Sequence, residues 1–173
     1  KITPEVVNSW VRILQAVPQS RLFLKNWHST SPGTRQRYMS YFGDSIDPKR
    51  IVFKPWTSSK RNHFAMYNEV DIALDTFPFN GITTTCEALW MGVPVVTWHG
   101  DRYSGRVGAS LLTRVGLGDL AAHNVGSYVK TSITLAGNPE RLKKFRLDMR
   151  NRLRTSPLCD GVGFARDLES IFR

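Results

Sequence analysis

Val70-Asp71-Ile72-Ala73-Leu74-Asp75-Thr76-Phe77-Pro78-Phe79-Asn80-Gly81-Ile82-Thr83-Thr84-Thr85-Cys86-Glu87-Ala88-Leu89-Trp90-Met91-Gly92-Val93-Pro94-Val95-Val96-Thr97-Trp98 is the stretch on which the fold turns. It opens with an apolar run from Val70 to Asp75 that reads as a strand. A loop follows through Phe77-Pro78-Phe79-Asn80-Gly81. The spacing then predicts a helix from about Thr84 to Met91, closed by Gly92, the residue type that best tolerates a helix C-terminus. Pro94 to Trp98 is a second apolar run. Continuous rather than alternating apolar runs belong to strands buried on both faces. Strand, loop, helix and strand in that order make a parallel βαβ unit with a right-handed crossover. Such folds bind ligands outside the carboxyl ends of their strands.

The same alternation extends in both directions. Thr3-Pro4-Glu5 is a helix start, with Thr3 as cap and Pro4 in the first turn. Val6, Val7, Trp10, Val11, Ile13, Leu14 and Val17 then fall mainly on one face, and Pro18 stops the run. Arg21–Lys25 and Arg50–Phe53 read as short strands, and 33–43 and 60–69 as helices. Further helices are expected near 104–115, 126–136, 139–154 and 161–172. The reading is one α/β domain over residues 1–173, a Rossmann-like parallel sheet with helices on both faces. Its first element is a helix, whereas a doubly wound domain usually starts with a strand. That strand is expected just upstream of Lys1, in a longer parent chain.

Composition sets the outer limits. The chain has 173 residues, 41% hydrophobic and 22% charged, which suits one globular domain with a sizeable core. No window approaches the length of a transmembrane helix, and the N-terminus has no secretory pattern. The two cysteines, Cys86 and Cys159, have no metal-ligand spacing and do not suggest a disulfide scaffold, so a reducing, cytoplasmic setting fits. Lys and Arg total 24 against 14 Asp and Glu, a net +10 that favours an anionic partner. The densest basic run, Arg141 to Arg154, also carries Leu142, Phe145, Met149 and Leu153 as one apolar stripe. That pattern describes an ordinary helix facing the core, so neither nucleic acid nor a membrane is the expected partner. Trp10, Trp90 and Trp98 sit in apolar patterns and are expected in the core.

The chemistry concentrates after Asp75. Gly81 and the hydroxyls of Thr83, Thr84 and Thr85 stand at a helix start, where unpaired N–H groups and the helix dipole attract anions such as phosphate. Glu87, one turn further, is placed to accept hydrogen bonds from ribose hydroxyls. Thr84-x-x-Glu87 is equally a capping box, which needs no ligand. Neither a P-loop nor a Gly-x-Gly-x-x-Gly pattern occurs.

The segment from Leu74 to Thr97 resembles the nucleotide-sugar segment of the O-GlcNAc transferase and SPINDLY family of protein O-glycosyltransferases. Lys1-Ile2-Thr3-Pro4, Val17-Pro18-Gln19-Ser20-Arg21-Leu22, Gly105-Arg106-Val107-Gly108-Ala109-Ser110-Leu111-Leu112 and Ser156-Pro157-Leu158-Cys159 are similar to the family in the same order. The resemblance implies the C-terminal lobe of a GT-B glycosyltransferase. Such enzymes transfer a sugar to Ser or Thr hydroxyls of proteins with inversion, using no metal and no cofactor beyond the donor. It implies UDP-GlcNAc as donor, with GDP-fucose as the SPINDLY-like alternative. A nucleotide-binding module without transfer activity is a further alternative. By the same resemblance Lys1 is the catalytic cation on the donor diphosphate, Thr83 and Thr84 hold the phosphates, and Glu87 holds the ribose. Lys60 and His63 frame the base and the donor, although His63, read alone, is a surface histidine in a polar stretch. Ile82 departs from the animal pattern, which has His there. The implied partners are an N-terminal catalytic lobe and helical repeats of one parent protein, together with an acceptor protein. Transfer by the 173-residue chain alone is not expected.

Overall fold

A computed structural model describes residues 2–172 of the chain. Helix α1 (Pro4–Ala16) begins where Thr3 Oγ1 accepts from Val6 N at 3.3 Å, with Pro4 in its first turn. It buries Val6, Val7, Trp10, Ile13 and Leu14, the apolar face its spacing predicts. Its last carbonyls are closed by Arg50. That guanidinium donates to Leu14 O at 2.8 Å, to Val17 O at 2.9 Å and to Ser20 O at 2.9 Å.

All paired strands are parallel. Strand β1 (Leu22–Lys25) leads through α2 (Pro32–Phe42) to β2 (Ile51–Lys54), with Leu22 opposite Ile51. After α3 (Lys60–Ala65) and a short 3-10 turn at Met66–Glu69 comes β3 (Ala73–Leu74). Helix α4 (Thr83–Trp90) connects it to β4 (Val95–Trp98), and α5 (Tyr103–Arg114) connects β4 to β5 (Ala121–Ala122). Strand β4 lies between β3 and β5. Helices α6 (Val125–Ala136), α7 (Pro139–Arg154) and α8 (Gly161–Ile171) complete the described chain.

Neighbouring residues of a strand face opposite sides of the sheet. Thr97 of β4 packs toward Gly108 of α5, whereas the ring of Trp98 meets Phe77, which in turn meets Tyr128 of α6. Helices therefore cover both faces, and the expected α/β architecture is present. The described strands form a two-stranded sheet and a three-stranded sheet. A cavity of about 830 Å³ lies between β1 and β3, lined by all four residues of β1, by Ala73 and Leu74, and by apolar side chains of α1.

Some details differ from the sequence reading. The strand expected over 70–75 is regular only at Ala73–Leu74, because Val70 N bonds back to Tyr67 O and belongs to the preceding turn. Strand β5, two alanines without periodicity, was not expected at all. Trp90 is not in the core: it is exposed on the outer side of α4, beneath the Arg150 guanidinium. Helix α7 does turn Phe145, Met149 and Leu153 inward. Its arginines serve neighbouring carbonyls. Arg146 bonds Met91 O, Tyr67 O and Val70 O, and Arg150 bonds Trp90 O. Helix α8 buries none of its residues, leaving Val162, Phe164 and Ile171 exposed. Among the described residues no helix is long and apolar enough to cross a membrane.

Candidate functional site

The loop that delivers α4 is organised by a buried carboxylate. Asp75, just past β3, accepts through Oδ1 from Gly81 N at 2.7 Å and Thr76 N at 2.9 Å, and through Oδ2 from Thr97 Oγ1 at 2.8 Å. Charge-assisted bonds of this kind hold a loop more firmly than neutral ones. Asn80 adds a bond from Nδ2 to Thr76 O at 3.0 Å and accepts from Gly108 N at 3.2 Å. Thr85 Oγ1 donates to Gly81 O at 3.0 Å. A side chain at Gly81 would collide with Thr84 Oγ1 and approach Thr85 Oγ1 to 3.2 Å, so this close passage requires glycine.

The loop ends at Ile82, which occupies the N-cap of α4 and supplies no side-chain cap. Thr84 lies inside the first turn, so the capping box that Thr84-x-x-Glu87 suggested does not form. Thr83 and Thr84 are exposed. Among the described residues the N–H groups of Thr83, Thr84 and Thr85 find no acceptor. Three free donors, two accessible hydroxyls and the positive end of the helix dipole therefore share one surface. That combination is chemically suited to phosphate oxygens.

Glu87 stands one turn along the same face, since positions three and four apart on a helix are neighbours. Its Oε2 lies 3.0 Å from His63 Nε2 and accepts from the Tyr67 hydroxyl at 3.3 Å. Oε1 accepts no bond among the described residues and is available to a ligand hydroxyl. The other ring nitrogen of His63, Nδ1, lies 2.6 Å from Lys25 Nζ, at the carboxyl end of β1. Burial lowers the Lys25 pKa from the usual lysine value, against the attraction of Glu87. Burial, and next the Glu87 charge, push the Tyr67 phenol far above its usual range, so it remains a donor. Burial also raises the Cys86 thiol, helped by Cys159 and Glu87. Beyond the ends of β1 and β2, Trp27 and Trp56 stack at 4.1 Å between ring centroids, and the Lys25 ammonium lies over the Trp56 ring.

The structure thus joins His63 to Glu87 and sets Thr83 and Thr84 beside them on α4. Lys60, the first residue of α3, is exposed and makes no bond to this group among the described residues. Lys1 lies outside the described residues. Sequence reasoning missed Lys25, Tyr67 and the Trp27–Trp56 pair. Their only signal was position: Lys25, Trp27 and Trp56 lie at or just beyond carboxyl ends of strands, where α/β folds place their ligands. No group of three or more His, Cys, Asp and Glu side chains suited to a metal occurs among the described residues.

The family model described as glycosyl transferase family 41 matches residues 1–168. A Solanum lycopersicum protein named as a probable UDP-N-acetylglucosamine–peptide N-acetylglucosaminyltransferase SPINDLY is 44% identical over the whole chain, which covers 19% of that relative. Arabidopsis thaliana proteins of the same enzyme name are similar at 44% identity for SPINDLY and 31% for SEC, over 19% and 17% of their lengths. The chain therefore spans about a fifth of the curated relatives it matches. Among solved structures, a mutant of the Thermobaculum terrenum O-GlcNAc transferase superposes with a TM-score of 0.91 at 35% identity, over 99% of this chain and 33% of that one.

Proposed function

The chain belongs to glycosyl transferase family 41, and from that premise we propose that it is the donor-binding lobe of an inverting protein O-glycosyltransferase that moves GlcNAc from UDP-GlcNAc to Ser or Thr hydroxyls of proteins. One observation carries the reading. The unpaired N-terminus of α4 presents Thr83 and Thr84 one turn from Glu87, so phosphate donors and a ribose acceptor lie on one helix face. A helix rises about 5.4 Å per turn, the scale that separates a nucleotide's phosphate from its ribose hydroxyls. In this reading Thr83, Thr84 and the first-turn N–H groups hold the diphosphate. Oε1 of Glu87 accepts from the ribose, and His63 and Lys60 frame the base and sugar. Lys1 offsets the charge that develops on the leaving diphosphate, a stabilisation that needs no metal. UDP-GlcNAc is the donor of choice because the similar SPINDLY and SEC proteins carry that donor in their names. The second lobe that completes the cleft, and the repeats that contact the acceptor protein, belong to the rest of the parent protein.

The test is calorimetry of the chain with UDP, GDP and a short oligonucleotide, each with EDTA present. UDP binding that survives chelation and weakens in Glu87→Gln supports the reading. Tighter binding of GDP would move the donor to GDP-fucose. Binding of the oligonucleotide alone would overturn it.

A further inference from the structure

We propose that Lys25 is a positioning residue that fixes His63 in its neutral Nε2–H tautomer and so aims an N–H at Glu87. The argument starts from donor counting. An ammonium group has three donors and no acceptor. Lys25 Nζ lies 2.6 Å from His63 Nδ1, so Nδ1 has to offer its lone pair. A neutral ring with that nitrogen bare carries its hydrogen on Nε2, which faces Glu87 Oε2 at 3.0 Å and donates to it. The three residues thus form a directed chain from ammonium through imidazole to carboxylate. The opposite tautomer would set a ring lone pair against the carboxylate and a ring N–H against the ammonium.

The surroundings support the same direction. Lys25 comes from the end of β1, His63 from α3, Tyr67 from the turn after α3 and Glu87 from α4. These are the titratable groups bonded to the ring or to its carboxylate. The remaining ring neighbours are aromatic: Trp56 at 6.4 Å, Phe64 at 5.5 Å and Tyr67 at 5.7 Å between centroids. Both ring nitrogens are engaged and the side chain is only 20% exposed, so His63 has no free nitrogen for proton transfer while Lys25 stays in place. Its part is to hold Glu87 Oε2, together with Tyr67, so that Oε1 stays directed at a ligand. That last step rests on the donor-site reading above, whereas the tautomer does not.

The test compares the chain with Lys25→Met and Lys25→Arg. Long-range proton–nitrogen correlation spectra of the histidine side chains report tautomer and charge against pH, and His63→Gln assigns the resonance. The expected wild-type signal at pH 8 is a neutral ring with its hydrogen on Nε2. Lys25→Met removes the donor that keeps Nδ1 bare, so protonation at Nδ1 should become detectable. Lys25→Arg, again a donor without an acceptor, should restore the neutral tautomer. UDP affinity should fall by about threefold to tenfold in Lys25→Met, the effect of one misdirected hydrogen bond, and recover in Lys25→Arg. A wild-type ring protonated at Nδ1 at pH 8 would overturn the proposal. So would spectra in which Lys25→Met still leaves Nδ1 bare. If Lys25→Met fails to fold, the wild-type and Lys25→Arg spectra still decide. Absence of UDP binding with the expected His63 signal would sink the donor reading and leave the role of Lys25 standing.

Discussion

Tyr128→Phe should destabilise the chain by about 2 kcal/mol and loosen the loop from Thr76 to Gly81 without changing the fold. Tyr128 is wholly buried in α6. Its hydroxyl donates to Asp75 O at 3.0 Å and accepts from Trp10 Nε1 at 3.4 Å. One oxygen therefore ties α1, α6 and the start of the loop whose amides Asp75 holds. Breaking a buried hydrogen bond from one side costs about 1–3 kcal/mol, and the carbonyl bond to Asp75 belongs in that range. The indole bond is at the long limit of hydrogen-bond geometry and adds only about 0.5 kcal/mol. Phe leaves almost no cavity and spares the burial of a hydroxyl, which returns part of the loss. For a chain of 173 residues, about 2 kcal/mol corresponds to a fall in Tm of about 4–8 °C. Urea unfolding followed by circular dichroism measures it, and an unchanged m-value would show that the unfolded state is not the cause. Tyr103→Phe, at an exposed position, is the control and should stay within about 0.5 kcal/mol. UDP affinity should fall together with stability, because Asp75 sets the loop. A loss below about 0.5 kcal/mol, with UDP affinity intact, would refute the tie between Tyr128 and the loop.

Other substitutions separate loop geometry from ligand contact. Thr84→Val should weaken UDP binding by about twofold to twelvefold, one neutral hydrogen bond, and leave the urea midpoint nearly unchanged because the side chain is exposed. Gly81→Ala should lower both stability and affinity, with a cost of about 1–3 kcal/mol for forcing a methyl group against Thr84 and Thr85. Cysteine labelling by a disulfide reagent at pH 8 should modify exposed Cys159 well before Cys86, whose thiol burial holds protonated. Because the Cys86 pKa is raised, its thiolate fraction is low at pH 8, and its labelling should accelerate as the pH climbs above the ordinary thiol value; equal rates for the two at pH 8 would contradict this environment.

The parts of this molecule that sequence reveals are those decided by local periodicity. The βαβ unit from Val70 to Trp98 was legible because its apolar runs are continuous, β4 is buried on both faces, and Gly92 closes the helix with a positive φ of 76°. The stripe on α7 was legible for the same reason. Periodicity names a face but not its partner. The apolar residues of α8 make an equally clear face and stay exposed, and Trp90 sits in an apolar run but faces outward under Arg150. Glu87 shows the limit most directly. Thr84-x-x-Glu87 fits a capping box letter for letter, and nothing within one helical turn distinguishes that reading from a ligand site. The decision comes from His63, 24 residues away, and Tyr67, 20 residues away, which draw the carboxylate off the helix end. Lys25, 38 residues from His63, has no sequence signature beyond ending a strand. Those distances are spanned because Lys25 ends β1, His63 and Tyr67 follow β2, and Glu87 lies on the helix that follows β3. The start of α4 therefore keeps its donors without a side-chain cap, and Glu87, which could have capped it, keeps Oε1 without a bond among the described residues.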